Sequence, residues 1–290
     1  MQKIALATVT YNSSKVIRGF LDCLNQQQFK DWHLYLVDSC SSDETIDIVN
    51  DYVNIKAKIT LFTQKRNVGF ATGSNIGIQQ AILDGFEYIM LVNNDVEFNS
   101  DFLSLIVNEI KSNQYQMLAP KMNYFSPKNK IWAAGGGFKP RNAWAAYHIG
   151  ENEIDVGQYD VDGYCDFIPM CCVVIKKDVF DKVGWLDEKY FIYSEDADWF
   201  YRANNLGYKI RYCHKAILYH KVSSLTGGAS SRSGASYGTR NRVYFICKHF
   251  SGVQKYAYLV KYFVGMFLFL VNGKYSWQEF KWRFLAFFHG

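Results

Sequence analysis

Through its first hundred residues the chain alternates short apolar runs with helix-length segments, and this alternation leaves few folds open. "IALATV" (4–9) is followed by polar "TYNSS" and a helical segment from Lys15 to Gln27. "HLYLVD" (33–38) precedes "SCSSDET", whose serines and aspartate can cap a helix running to about Tyr52. "KITLFT" (58–63) leads through "QKRNVGFATGSN" to a helix from about Gly73 to Leu83, and "YIMLVN" closes the series. Strands separated by helices in this way predict βαβ units, hence a mostly parallel α/β sheet covered by helices on both faces.

Beyond residue 115 the alternation breaks. "GYCDFIPMCCVVIKKDVF" (163–180) holds one apolar strand, and "SEDADWFYRANNLGY" (194–208) opens with acids and becomes an amphipathic helix. "SSLTGGASSRSGASYG" (223–238) is rich in serine and glycine and predicts a mobile loop, suited to close over a bound ligand. The expected organisation is a unit over 1–240, with a nucleotide-type α/β half (1–115) and a second half that completes a site (116–240), then a helical tail (241–290).

The tail differs in composition. Of the 32 lysines and arginines, 8 lie in residues 240–290, against one of the 27 acids. Residues 241–290 also hold 16 aromatic side chains. The longest apolar run, "YFVGMFLFLV" (262–271), is about half the ~20 residues a spanning helix needs. A basic aromatic segment of this kind suits peripheral contact with a membrane surface, or packing against the body. The seven cysteines form no CxxC pair and no zinc-type spacing, as expected of free thiols in a reducing compartment. With an N-terminal apolar run too short for a signal peptide, the expected location is the cytoplasm, with contact at the inner face of the cell membrane open.

In open α/β sheets ligands bind outside the carboxyl ends of the strands. Here each predicted strand end carries polar side chains: Thr10, Tyr11 and Asn12; Asp38; Arg66 and Asn67; Asn93, Asn94 and Asp95. The last group is the most demanding, because an unpaired buried carboxylate costs several kcal/mol. Asp95 therefore needs a solvated turn, a basic partner, or a divalent ion bridging it to phosphate oxygens. Asp38 suits a helix cap, or acceptance of a base ring N–H, which uracil or thymine would donate and guanine offers too.

Glu195, Asp196 and Asp198 open a helix, where the dipole favours acids. They also stand among Tyr190, Phe191, Tyr193, Trp199 and Phe200, surroundings that raise carboxylate pKa and stack on sugar rings. A base taking a proton from a sugar hydroxyl belongs in such a place. His220 ends the strand-like "AILYH", within reach of the same sheet edge.

Taken in order, "VTYN" (9–12), "VDSCSSD" (37–43), "RNVGFATGSNIG" (66–77), "LVNND" (91–95), "GWLDEKYFIYSEDADWFYRANNLGY" (184–208), "LYHKVSS" (218–224) and "YGTRNRVYF" (237–245) resemble the inverting glycosyltransferases of family 2, which have the GT-A fold. The resemblance covers about residues 3 to 250 and is nearest to the rhamnosyltransferase-like members that build bacterial surface polysaccharides. It implies that Thr10, Tyr11, Asn12, Asp38 and Asn67 hold base and ribose, with Arg66 and Asn94 in the same nucleotide-sugar site. Asn93 to Asp95 stand where the family has its DxD-type element, with Asn93 in place of the first acid. Asp95 and His220 would be the protein ligands of Mg²⁺ or Mn²⁺. Asp196 would be the catalytic base, Trp185, Glu195 and Asp198 would mark the acceptor region, and Ser224 and Arg240 would touch the pyrophosphate.

The implied reaction moves a sugar, rhamnose being one candidate, from a dTDP- or UDP-linked donor to a saccharide or lipid-linked saccharide, with inversion. Nucleic acid is not an expected partner, and Cys171 and Cys172 read as core. Two other functions are open to a chain of this kind. A sugar-nucleotide nucleotidyltransferase would want a glycine-rich, lysine-bearing loop where "TYNSSKV" stands. A non-catalytic sugar-nucleotide-binding scaffold would be expected to lack Asp95 or Asp196.

Overall fold

The computed structural model of the protein describes residues 3–55, 58–222 and 227–290. In chain order the strands and helices are β1 (Ile4–Thr10), α1 (Ile17–Asn25), β2 (Trp32–Asp38), α2 (Thr45–Ile55), β3 (Ile59–Thr63), α3 (Gly69–Leu83), β4 (Tyr88–Val92), β5 (Val96–Phe98) and α4 (Phe102–Asn113). They continue with β6 (Met117–Tyr124), β7 (Ile131–Ala133), β8 (Gly136–Lys139), β9 (Ala145–His148), β10 (Gly163–Cys165), β11 (Cys172–Lys176), α5 (Lys177–Val183), α6 (Glu195–Asn205), β12 (Ile210–His220), α7 (Arg232–His249), α8 (Gly252–Val271) and α9 (Trp277–Phe287).

The expected βαβ series is present. β1 pairs in parallel with β2 and with β4, and β2 pairs in parallel with β3. Apolar β1, β2 and β4 are buried along almost their whole length, as strands covered on both faces must be. In register, Thr10 lies opposite Asp38 and Asp38 opposite Thr63, so these three strands end at one level.

The second half extends the same sheet. Its path runs β10-β12-β6-β11-β4-β1-β2-β3, with β5 added on β12 and β7 on β6. Because antiparallel β11 joins β4 directly, a single sheet and a single hydrophobic core run through both halves. The short antiparallel pair β5–β12 sets His220 opposite Val96, and the Lys221 amide then donates to the Asp95 carbonyl at 2.8 Å. That register brings Asp95 and His220 together from positions far apart in sequence.

Two sequence expectations are corrected. Of the segment 223–238, residues 223–226, with Ser224, lie outside the described residues, while Arg232 onward is helical and belongs to α7. Ser231 caps this helix by accepting from the Gly234 amide at 3.0 Å, and α7 packs against α9. Tertiary packing overrides the weak helix propensity of a serine- and glycine-rich stretch. The expected boundary after residue 240 consequently falls inside α7, so the residues on either side of it share one helix.

Candidate active site

A cavity of 550 Å³ opens over the carboxyl edge of β1, β2 and β4. Thr10, Tyr11, Asn67, Asn93, Asn94 and Asp95 reach it from the first half of the chain, and Glu195, Asp196 and His220 from the second. Trp132 and His148 add an aromatic wall, with the Trp132 ring 4.3 Å from that of His220 and 5.1 Å from that of His148.

The strand ends are braced by their own polar side chains. Asp38 is buried, and accepts from the Thr10 hydroxyl at 2.9 Å, the Ser41 amide at 2.9 Å and the Ser41 hydroxyl at 2.6 Å. Its carboxylate closes the turn after β2 and does not line the cavity; Asp43 accepts from the Thr45 amide at the start of α2. Asn67 accepts from Ser39 and from the Gly69 amide, both at 3.0 Å, and Asn94 donates to the Val9 carbonyl at 2.6 Å. Asn12, outside the cavity wall, accepts from the Ser42 amide at 2.8 Å. Arg66 is exposed and also lies off the wall.

Asp95 Oδ1 lies 3.2 Å from His220 Nε2, and both residues are buried. Carboxylate oxygen with imidazole nitrogen is a donor set that Mn²⁺ and Mg²⁺ accept. Among the described residues no cluster of three or more His, Cys, Asp and Glu side chains is placed to hold a metal. The pair therefore fits an ion that takes its remaining ligands from bound phosphate and water. His220 Nδ1 has no hydrogen-bond partner among the described residues.

Across the cavity, α6 presents Glu195 and Asp196. Burial, reinforced by the neighbouring Asp196, pushes the Glu195 carboxyl up to about 8, and one of its buried oxygens has no hydrogen-bond partner. Burial also raises Asp196, to about 6, against a 2.7 Å bond from the Ala197 amide. Burial thus holds both adjacent carboxyls above the ordinary carboxylate range, Glu195 further than Asp196.

The strap leading into α6 is strained. Phe191, Tyr193 and Ser194 all have positive φ (64°, 68° and 68°), a cost of order 1–3 kcal/mol each that surrounding contacts must offset. Three contacts do so. Asn241 donates to the carbonyls of Tyr190, Ile192 and Tyr193 at 2.9, 2.7 and 2.7 Å. Arg240 donates to the Lys189 carbonyl at 2.6 Å. The Phe70 amide donates to the Phe191 carbonyl at 2.7 Å, where a Cβ on Gly69 would come within 2.5 Å of Phe191.

Sequence reasoning placed Arg240 against the pyrophosphate; the structure turns it to the strap instead, off the cavity wall. Asp198, expected in the acceptor region, likewise does not line the cavity. It is 0% exposed and binds Tyr190, Arg202, Lys248 and His249 at 3.2, 2.9, 2.8 and 2.7 Å. Burial works against its charge, but His249, Lys248 and Arg202 hold it at about 2. Its charge locks α6 to the end of α7. Trp185 stacks on Phe180 and stands apart from the cavity. Cys171 and Cys172 are buried, as expected, with Cys171 at the cavity wall.

The sequence pattern of Glycosyl transferase family 2 matches residues 6–184, more than half of the chain. The protein belongs to this family of glycosyltransferases. An uncharacterized glycosyltransferase of Haemophilus influenzae is 30% identical over 118 residues, 40% of this chain; the match spans 46% of that protein, less than half its length. The amylovoran biosynthesis glycosyltransferase AmsB of Erwinia amylovora is 28% identical over 77% of this chain and 72% of its own. The N-acetylglucosaminyl-diphospho-decaprenol L-rhamnosyltransferase of Mycobacterium tuberculosis is 22% identical over 86% of this chain and 85% of its own. Among solved structures, the mannosyltransferase PcManGT of Pyrobaculum calidifontis with GDP-Man and Mn²⁺ has a TM-score of 0.60 at 12% identity, covering 98% of this chain and 84% of that one. TarS of S. aureus with UDP has a TM-score of 0.57 at 19% identity, covering 88% and 68%. The fold is GT-A.

Proposed function

We propose that the protein transfers a sugar, with inversion, from a nucleoside diphosphate to a hydroxyl of a saccharide or lipid-linked saccharide in surface polysaccharide assembly. The observation that carries this reading is one cavity with the Asp95–His220 pair and the Glu195–Asp196 pair on its wall. Thr10, Tyr11, Asn67, Asn93 and Asn94 form the donor side. A rhamnosyl donor linked to dTDP or UDP accords with the relatives in which rhamnose is named.

Asp196, ionised near neutrality, accepts the proton of the acceptor hydroxyl as its oxygen bonds to the anomeric carbon and the bond to the diphosphate breaks. Glu195, still protonated, donates a hydrogen bond to a sugar oxygen. General-base assistance of this kind is worth roughly 10²–10⁴-fold. Asp95 and His220 would hold Mg²⁺ or Mn²⁺, which supplies positive charge beside the leaving diphosphate.

The tail suits an anionic bilayer surface. Among the described residues no helix is long and apolar enough to cross a membrane. Val253, Tyr256, Val260, Val264, Leu268 and Val271 form an exposed stripe along α8, with Lys255, Lys261 and Lys274 on the same helix or at its end. Other rings of the tail pack on one another: Phe263, Phe267, Phe280 and Phe284 interlock between α8 and α9.

The test is thermal melting against UDP-, dTDP- and GDP-sugars, each with Mn²⁺ and with EDTA. A ligand at ~100 times its dissociation constant adds about 2.7 kcal/mol, so the accepted nucleotide raises the midpoint. No shift with any nucleoside diphosphate would remove the donor assignment.

A further inference from the structure

The cavity's cation comes from the tail. Among its described lining residues, which include the acids Asp95, Glu195 and Asp196, Arg283 of α9 is the one lysine or arginine. A diphosphate bound there needs positive charge from the protein, and neither Arg66 nor Arg240 lines the cavity. We propose that Arg283 binds the diphosphate of the donor, so that the C-terminal helix is part of the active site. The inference rests on the donor assignment above.

Arg283 is held as a fixed fork. It is 9% exposed; Nε and Nη2 donate to Glu279 Oε1 at 3.1 and 2.8 Å, and Nη2 also to the Ala229 carbonyl at 3.0 Å. Its guanidinium lies 4.5 Å from the centre of the Tyr275 ring. Among the described residues Nη1 makes one long contact, 3.4 Å to Thr239, which leaves one of its two hydrogens for a ligand. Planar, pre-oriented and permanently charged, a guanidinium held in this way can offer that Nη1 hydrogen to one phosphate oxygen. Residues 240–290 contain one acid against eight bases, and that acid, Glu279, is the residue that holds Arg283.

Gly228, Ala229, Gly234 and Gly238 line the cavity next to Arg283. A Cβ on Gly234 would fall 2.2 Å from the Gly228 carbonyl, so glycine there lets the first turn of α7 press against the chain before it. That turn adds the positive end of an 18-residue helix to the same side.

The experiment compares UDP and dTDP with uridine and thymidine, by calorimetric titration of the full chain in Mn²⁺ and in EDTA. The variants are Arg283→Lys, which retains the charge and the Glu279 partner, and Glu279→Gln/Arg283→Gln, which leaves no buried charge unpaired. The double variant should weaken diphosphate binding by about 10–100-fold, the range of a charged hydrogen bond, with nucleoside binding unchanged in both buffers. Arg283→Lys, losing the fork, should show a smaller loss confined to the diphosphate. Diphosphate binding equal to the parent in either folded variant, or equal loss for nucleoside and diphosphate, overturns the inference. Failure of the parent itself to bind any nucleoside diphosphate would instead overturn the donor assignment.

Discussion

The Asn241 side-chain amide donates to the Tyr193 carbonyl at 2.7 Å, and so fixes the last turn of chain before α6, which carries Glu195 and Asp196. With its bonds to Tyr190 and Ile192, one side chain restrains a strap holding three residues at positive φ. Asn241 is fully buried, which makes these bonds costly to lose.

Asn241→Ala should therefore lower stability by about 1–3 kcal/mol, the cost of unsatisfied buried groups. It should also reduce kcat on the order of tenfold or more, because a small misplacement of Asp196 misaligns the attack. Nucleoside binding, made at the strand ends, should be retained. An unchanged kcat in a folded Asn241→Ala protein would show that the strap does not position the base.

Asp196→Asn should reduce transfer by roughly 10²–10⁴-fold while donor binding stays nearly intact, since the base acts on the acceptor. Steady-state kinetics beside a donor titration separates the two effects. Wild-type turnover would move the base to Glu195, because Asp198 is locked into its buried network with Arg202, Lys248 and His249.

The pH dependence follows from the same pair. Activity should rise through pH 6 as Asp196 ionises and fall above about pH 8 as Glu195 loses its proton. Stability should fall in the same direction as Glu195 loses its proton. A carboxyl held above its unfolded value favours the fold while protonated, so that contribution is present in acid and lost as pH rises toward 8. Asp196, raised to about 6, adds a loss at lower pH, so Glu195→Gln should remove the decline between about pH 6 and 8; a parent-like decline there would assign it elsewhere.

Asp95→Ala and His220→Ala should each weaken nucleoside diphosphate binding in Mn²⁺ by on the order of tenfold, and change it little in EDTA. Calorimetric titration in both buffers reads the difference. Parent-like Mn²⁺ dependence in His220→Ala would make His220 a packing residue against Trp132.

The full chain should co-sediment with anionic vesicles, release as salt rises, and bind neutral vesicles far less. Each lysine near an anionic surface contributes about 1 kcal/mol, and the apolar stripe adds insertion. Replacing Val260 and Val264 by serine should weaken binding without disturbing the Phe263–Phe267 cluster between the helices. Binding unaffected by these changes, or absent at low salt, would assign the stripe to another contact.

What the sequence determined was local in origin. The apolar runs of β1, β2 and β4, their polar ends, and the acidic start of α6 all rest on periodicity and neighbouring residues. So the parallel sheet, the site edge and the Glu195–Asp196 helix start were legible. Asp198 and Asp196 lie two residues apart in one motif, but helical rotation and burial against Lys248 and His249 separate their surroundings, which composition does not encode. Arg240 and Asn241 were adjacent in a motif whose hydrogen bonds reach back about fifty residues. Arg283 meets Thr239 and Ala229 only once α9 has packed on α7. Which cation faces the cavity was decided there, because a long-range contact depends on how two helices dock, and no short stretch of either one specifies that.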